Sequence, residues 1–214
     1  MPKETFINLK QEKQERILRS AIAEFNACGF IKANVGTIAK NAGVAKGSIY
    51  QYFEDKNELF VHCVTWSVEM LLHLAGGNRP VADIDIFEYA SFDIKQRIDL
   101  MRREKEISVF AQEVFMGKFS SAPHETTDEM MRVSEDYVLE LIRAGQKMGT
   151  VRTDMDDEIL ALFLTGATTK VKEHIMKTTL ITDFAVTDDQ ALQLNRKFEN
   201  LMTLLKDSIG AKEA

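Results

Sequence analysis

Residues Asn34 to Phe53 read NVGTIAKNAGVAKGSIYQYF, and the fold of the chain turns on them. Asn34 offers a side-chain oxygen to the unsatisfied amides of a helix beginning at the next residue. Val35, Ile38, Ala39 and Ala42 recur at the three-and-four spacing of one helical face, which predicts a short helix. Gly43 supplies the backbone freedom for a sharp turn, and Val44 enters the space between two helices. A second helix is predicted from Lys46 to Tyr52, with Ile49 and Phe53 inward. That leaves Lys46, Gly47, Ser48, Gln51 and Tyr52 on its first turn or its outer side.

These outward residue types suit the major groove of DNA. A groove about 12 Å wide admits one helix, and its floor offers acceptors on guanine and a paired donor and acceptor on adenine. Lys46 matches the first and Gln51 the second, while Gly47 lets the backbone come close. Ser48, Tyr50 and Tyr52 carry hydroxyls for phosphate oxygens, contacts that set register without reading sequence. Lys56, in the first turn of the following helix, is placed to hold a phosphate together with free amides. Asn34 and Thr37 complete the set expected to face DNA.

Outward from the motif, Ile17, Leu18, Ala21, Ile22, Phe25 and Cys28 mark one face of a helix over Gln11–Cys28. Gly29 is expected as its left-handed cap, with Phe30 folding back on the last turn. Downstream, Asp55 and Glu58 are spaced as a capping box, and the apolar side runs through Leu59, Phe60, Cys63, Val64, Met70, Leu71 and Leu74.

The run from Ile17 through Phe60 resembles the TetR family of bacterial transcriptional regulators. The features that carry it are GF at 29 and 30, then TIAKNAGVAKGSIYQYFEDKNELF from Thr37. The resemblance covers roughly residues 11–71, with the motif at 34–53. It implies an all-α chain: a three-helix helix-turn-helix head over 1–74, then a helical effector-binding and dimerisation domain over 75–214. Ala45 departs from the Ser or Thr often found in the family, removing a possible helix cap or phosphate contact.

Composition agrees with a helical intracellular protein. In 214 residues there are only 3 Pro and 11 Gly, so few breakers interrupt the pattern. The 2 Cys, Cys28 and Cys63, fall in apolar helical patterns and read as buried small hydrophobes. No signal-type apolar segment opens the chain, and no run nears the roughly 20 apolar residues that span a bilayer. A cytoplasmic protein without a membrane partner is expected. Net charge is -6, yet residues 1–60 hold 9 Lys and Arg against 7 Asp and Glu, a net of +2 that leaves -8 for the remainder. A mildly basic head on an acidic body fits contact with phosphate at one end.

The clearest breaker cluster, AGGNRPVAD, follows Leu74 and sets the expected domain boundary. Beyond it, helices are predicted at about 84–103, 105–119, 122–148, 156–177 and 188–209. The resemblance implies that part of this body is hollowed for a small apolar or amphipathic effector. Candidates for its lining are Phe87, Met101, Phe110, Phe115, Met116, Met130, Tyr137 and Phe163, from a wider set that includes Phe92; His124 and His174 are possible polar anchors. The resemblance also implies a homodimer joined by the last two helices. Candidates there are Leu160, Phe163, Leu164, Ala167, Val171, Ile175, Phe198, Leu201 and Leu205.

An enzyme is disfavoured. His62 with Cys63, His73, and Glu173 with His174 are the only metal or nucleophile sets, none has matching ligand spacing, and no phosphate-binding glycine loop is present. No cofactor and no metal are expected. The reading is a ligand-responsive regulator, a repressor released from a palindromic operator in double-stranded DNA. The alternatives are an activator with the same head or a helical interaction module.

Overall fold

The computed structural model describes residues 2–90, 94–119, 121–123, 125–178 and 187–211, without the side chains of 90, 94–97, 172 and 175–178. Phe92, His124 and the side chain of Ile175 therefore lie outside the described residues. Among those described there are eleven α-helices, one 3-10 turn (Val81–Asp83) and a single isolated β-bridge. The helices are α1 (Glu4–Ile7), α2 (Gln11–Lys32), α3 (Val35–Asn41), α4 (Lys46–Tyr52), α5 (Lys56–Ala75), α6 (Ile86–Ala90), α7 (Ile94–Arg103), α8 (Lys105–Phe115), α9 (Glu125–Met148), α10 (Asp157–Thr178) and α11 (Asp188–Ile209). An all-α fold is thus what the periodicity predicted. The one helix expected over 84–103 is represented by α6 and α7, and the helix expected to 119 stops at Phe115, where Gly117 turns the chain with φ 69°.

The chain forms two compact units interleaved in sequence. The first comprises residues 1–70 and 104–133, the second 71–103 and 134–214. The sequence reading divides the chain once, near residue 74; the packing instead returns 104–133 to the amino-terminal unit. The reason is a cluster of phenylalanines. The Phe60 ring meets Phe25 at 4.8 Å, Phe30 at 5.1 Å, Phe119 at 5.2 Å and Phe110 at 5.3 Å, all near edge-to-face. That geometry places positive ring edges on negative faces. Polar contacts reinforce it: Arg19 donates to Glu104 at 2.7 Å and to Glu15 at 2.8 Å, and its guanidinium lies 5.8 Å from the Trp66 ring. Gly29, at φ 70° and ψ 168°, breaks α2 where the capping glycine was expected, and Phe30 folds back to 6.2 Å from Phe25. Cys63 is buried, as expected, but Cys28 is exposed at the end of the regular helix, where the chain breaks at Gly29.

The second unit has its own core, built around Ile84, Ile86, Tyr137, Leu141, Ile142, Leu160, Leu164, Met202, Leu205 and Ile209. The segment after α9 is tied to the end of α11: the Arg152 amide donates to Ile209 O at 3.0 Å, the Ala211 amide to Thr150 O at 2.9 Å, and the Arg152 guanidinium to Asp154 and Ser208 O. Among the described residues no helix is long and apolar enough to cross a membrane.

Because four rings converge on Phe60, Phe60→Ala is expected to destabilise the first unit by about 3–5 kcal/mol and Phe60→Leu by less, measured by urea denaturation. Equal and small effects would show that the cluster repacks freely.

Candidate nucleic-acid interface

Residues 34–53 form the expected helix-turn-helix. The Asn34 side chain accepts from the Gly36 amide at 2.7 Å, the cap foreseen for α3. Gly43, at φ 66°, makes the turn, and Val44 N donates to Ala39 O at 2.9 Å. Arg16 reaches across from α2 to donate to Ala42 O at 2.9 Å, so the turn is held from outside the motif. Ile49 and Phe53 are buried as the spacing required.

The outer side of α4 exposes Lys46, Gly47, Tyr50 and Gln51, with Ser48 half-buried at its edge. Tyr50 is 44% exposed, so it is available to a partner. A Cβ built on Gly47 would meet nothing within 4 Å. Nothing inside the chain therefore demands glycine there, although glycine costs an interior helix position roughly 1 kcal/mol. On α3, Asn34 and Thr37 are exposed, Asn34 with its side chain engaged in the cap.

Two members of the expected set point elsewhere. Tyr52 is 7% exposed, its ring packed 5.9 Å from Phe6 and 5.9 Å below the Lys13 ammonium, so it sits in the core rather than on the outer side. Lys56 is half-buried and donates to Ile31 O at 3.0 Å and Ala33 O at 3.2 Å, with its ammonium 4.9 Å from the Phe30 ring. It satisfies carbonyls after α2 in place of the phosphate contact expected of it. At the start of α5, Glu58 N donates to Asp55 at 2.9 Å, and the Glu58 carboxylate accepts from Glu54 N at 2.6 Å.

The sequence reading missed the segment before α2. Phe6 is buried, with ring distances of 4.7 Å to Phe53 and 5.4 Å to His62, and Lys3 and Thr5 bond to the end of α4. A lone Phe in a polar stretch was its only signal. His62, enclosed by these rings, has its pKa lowered to about 4, first by burial.

The effector candidates divide between the units. Phe110, Phe115, Met116 and Met130 belong to the first and Phe87, Met101, Tyr137 and Phe163 to the second. Phe110 is spent in the aromatic cluster, while Met116 and Phe163 are exposed. Tyr137 is buried, its hydroxyl donating to Leu72 O at 3.3 Å, and burial raises its pKa to about 12. Two open grooves in the first unit, of about 480 and 310 Å³, are lined by none of the eight. Of the dimer candidates, Leu160, Leu164 and Leu205 are already covered by the second unit's own core, and Ala167, Val171, Phe198 and Leu201 are half-buried. Among the described residues, the large apolar side chains exposed on those helices are Ile159, Leu162, Phe163, Leu192 and Leu204. His174 is exposed. Among the described residues no group of His, Cys, Asp and Glu is placed to hold a metal.

Over residues 17–63 the chain matches the family described as bacterial regulatory proteins, tetR family. The HTH-type transcriptional regulator YdgC of Bacillus subtilis is 24% identical over 80% of this chain and 83% of that protein. Further curated relatives match over shorter stretches, 23% to 50% of their own length. Among solved structures, SmeT, the repressor of the Stenotrophomonas maltophilia multidrug efflux pump SmeDEF, superposes with a TM-score of 0.59 at 16% identity, over 97% of this chain and 93% of that one. FadR of Bacillus subtilis, in complex with stearoyl-CoA, superposes with a TM-score of 0.58 at 15% identity, over 88% of this chain and 96% of that one. At these identities the structural likeness is one of fold.

Gly47→Ala is expected to stabilise the free protein by about 0.5–1 kcal/mol while weakening DNA binding, read by denaturation and gel-shift titration side by side. For His62 the folded pKa lies below the unfolded 6.5. As pH falls from about 6.5 towards 4 the unfolded state takes up the proton first, so stability is lost across that window, by on the order of 2–3 kcal/mol in total. His62→Phe is expected to flatten that part of the denaturation-versus-pH curve relative to the parent.

Proposed function

We propose that the chain, whose head matches the TetR family over residues 17–63, is a regulator that works as a homodimeric, ligand-responsive repressor on a palindromic operator. The observation that carries this reading is the outer face of α4, where Lys46, Gly47, Tyr50 and Gln51 stand exposed on a helix fixed from behind by Ile49 and Phe53. Lys46 and Gln51 are the base-reading residues, facing guanine and adenine edges. Ser48, Tyr50 and Thr37 contact phosphates, and Asn34 holds the first turn of α3 in place for its amides to do the same.

Pairing is supported by the exposed apolar side chains of Ile159, Leu162 and Phe163 on α10 and of Leu192 and Leu204 on α11, which a second copy would cover. A two-fold pair of recognition helices reads an inverted repeat and doubles the phosphate contacts. The division of labour is DNA reading before residue 74 and effector binding with pairing after it. The effector is small and apolar or amphipathic; FadR, similar in fold, was solved with stearoyl-CoA. Release follows if the effector binds more tightly to the head spacing that does not fit the operator. The protein acts in the cytoplasm, where its DNA lies.

Selection from a randomised duplex pool tests this. The parent is expected to enrich an inverted repeat, and Lys46→Ala or Gln51→Ala to weaken that duplex by roughly 5- to 100-fold, as lost base contacts do. Phe163→Arg is expected to yield monomer in sedimentation. A parent that binds every duplex alike, across several salt concentrations, rules the reading out.

A further inference from the structure

We propose that the amino-terminal segment from Lys3 to Ile7 is a strap that positions the recognition helix, with Lys3, Thr5 and Phe6 as positioning residues rather than DNA ligands. The inference rests on α4 being the helix that reads DNA. At seven residues α4 is two turns long, too short to be stable by its own hydrogen bonds. The last carbonyls of any helix lack intrahelical partners, and α4 carries no basic residue in its last turn to offset its negative end.

The strap supplies all of this from outside. Lys3 Nζ donates to Tyr50 O at 3.0 Å, Thr5 Oγ1 to Gln51 O at 2.5 Å and the Lys3 amide to Tyr52 O at 2.9 Å. Three consecutive terminal carbonyls are thus claimed, and the Lys3 ammonium sits where the helix dipole favours a cation. Phe6, 2% exposed, seats the strap among Tyr52, Phe53 and His62. Gln14 fastens its far end, donating from Nε2 to Phe6 O at 2.9 Å and Ile7 O at 2.8 Å. At the opposite end of α4 the Ala45 side chain offers no cap, so the strap is the polar anchor of this helix. Bidentate base contacts demand the helix to within a fraction of an ångström, whereas phosphate contacts tolerate looser placement. Loss of the strap therefore weakens specific binding and leaves non-specific binding in place.

The test uses the full-length chain, the duplex it enriches from a randomised pool and a random duplex as reference. Lys3→Met and Thr5→Val are each expected to lower affinity for the enriched duplex about fivefold, and the double variant about 25-fold, the scale of one and two hydrogen bonds. Affinity for the random duplex should stay within about twofold, and the dependence of affinity on salt should keep its slope. Lys3→Arg and Thr5→Ser, which retain the donors, should restore binding. Without DNA, the amides of α4 should exchange faster in the double variant than in the parent. Phe6→Ala should act in the same direction, and the polar double variant carries the test should Phe6→Ala not fold.

A double variant that binds the enriched duplex like the parent overturns the proposal. So does equal weakening on both duplexes with a salt slope reduced by about one per head, which would make Lys3 a phosphate ligand. A parent that enriches no duplex would overturn the DNA-reading function itself, a result distinct from either.

Discussion

The Phe60 ring is the point on which the head depends. A unit of this size has little apolar surface to bury, and without α8 and the residues after it one side of Phe25 and Phe60 would lack its ring partners. Phe110 and Phe119 close it, entering from a part of the chain some fifty residues later. That is why residues 104–133 pack with the head. With α2 so fixed, Arg16 can hold the turn at Ala42 from outside the motif.

The cations of the head divide by task. Arg16, Arg19, Lys56 and Lys3 are spent on carbonyls and carboxylates within the first unit. Lys40 and Lys46 stand exposed on the helix-turn-helix. The formal surplus of +2 over residues 1–60 therefore understates how selectively positive charge is presented, since what meets a phosphate is the outward fraction and not the sum. The same principle accounts for Lys56: a carbonyl pair within 3.2 Å and a ring face below it compete with any external anion.

In the second unit, one helix carries two apolar stripes. Leu160, Ala161 and Leu164 of α10 turn to the core, while Ile159, Leu162 and Phe163 of the same helix face outward. Each residue advances about 100° around the axis, so neighbours in sequence fall on different faces. A helix apolar most of the way round fits burial on both sides.

Most helix positions, the cap at Asn34, the break (though not the left-handed cap) at Gly29, the turn at Gly43 and the inward set Ile38, Ile49 and Phe53 were legible in the residues alone. These features depend on local spacing and backbone freedom, which a linear chain states directly. The outward placement of Lys46, Gly47 and Gln51 followed from the same periodicity. Three things did not: the inward turn of Tyr52, the internal bonding of Lys56 and the strap formed by Lys3, Thr5 and Phe6. Each is decided by partners more than 20 residues distant, and an amphipathic side chain such as Tyr or Lys is equally suited to a core edge or a solvent face. Which apolar stripe of α10 meets the core was likewise a tertiary matter, because periodicity identifies faces without saying what lies opposite them.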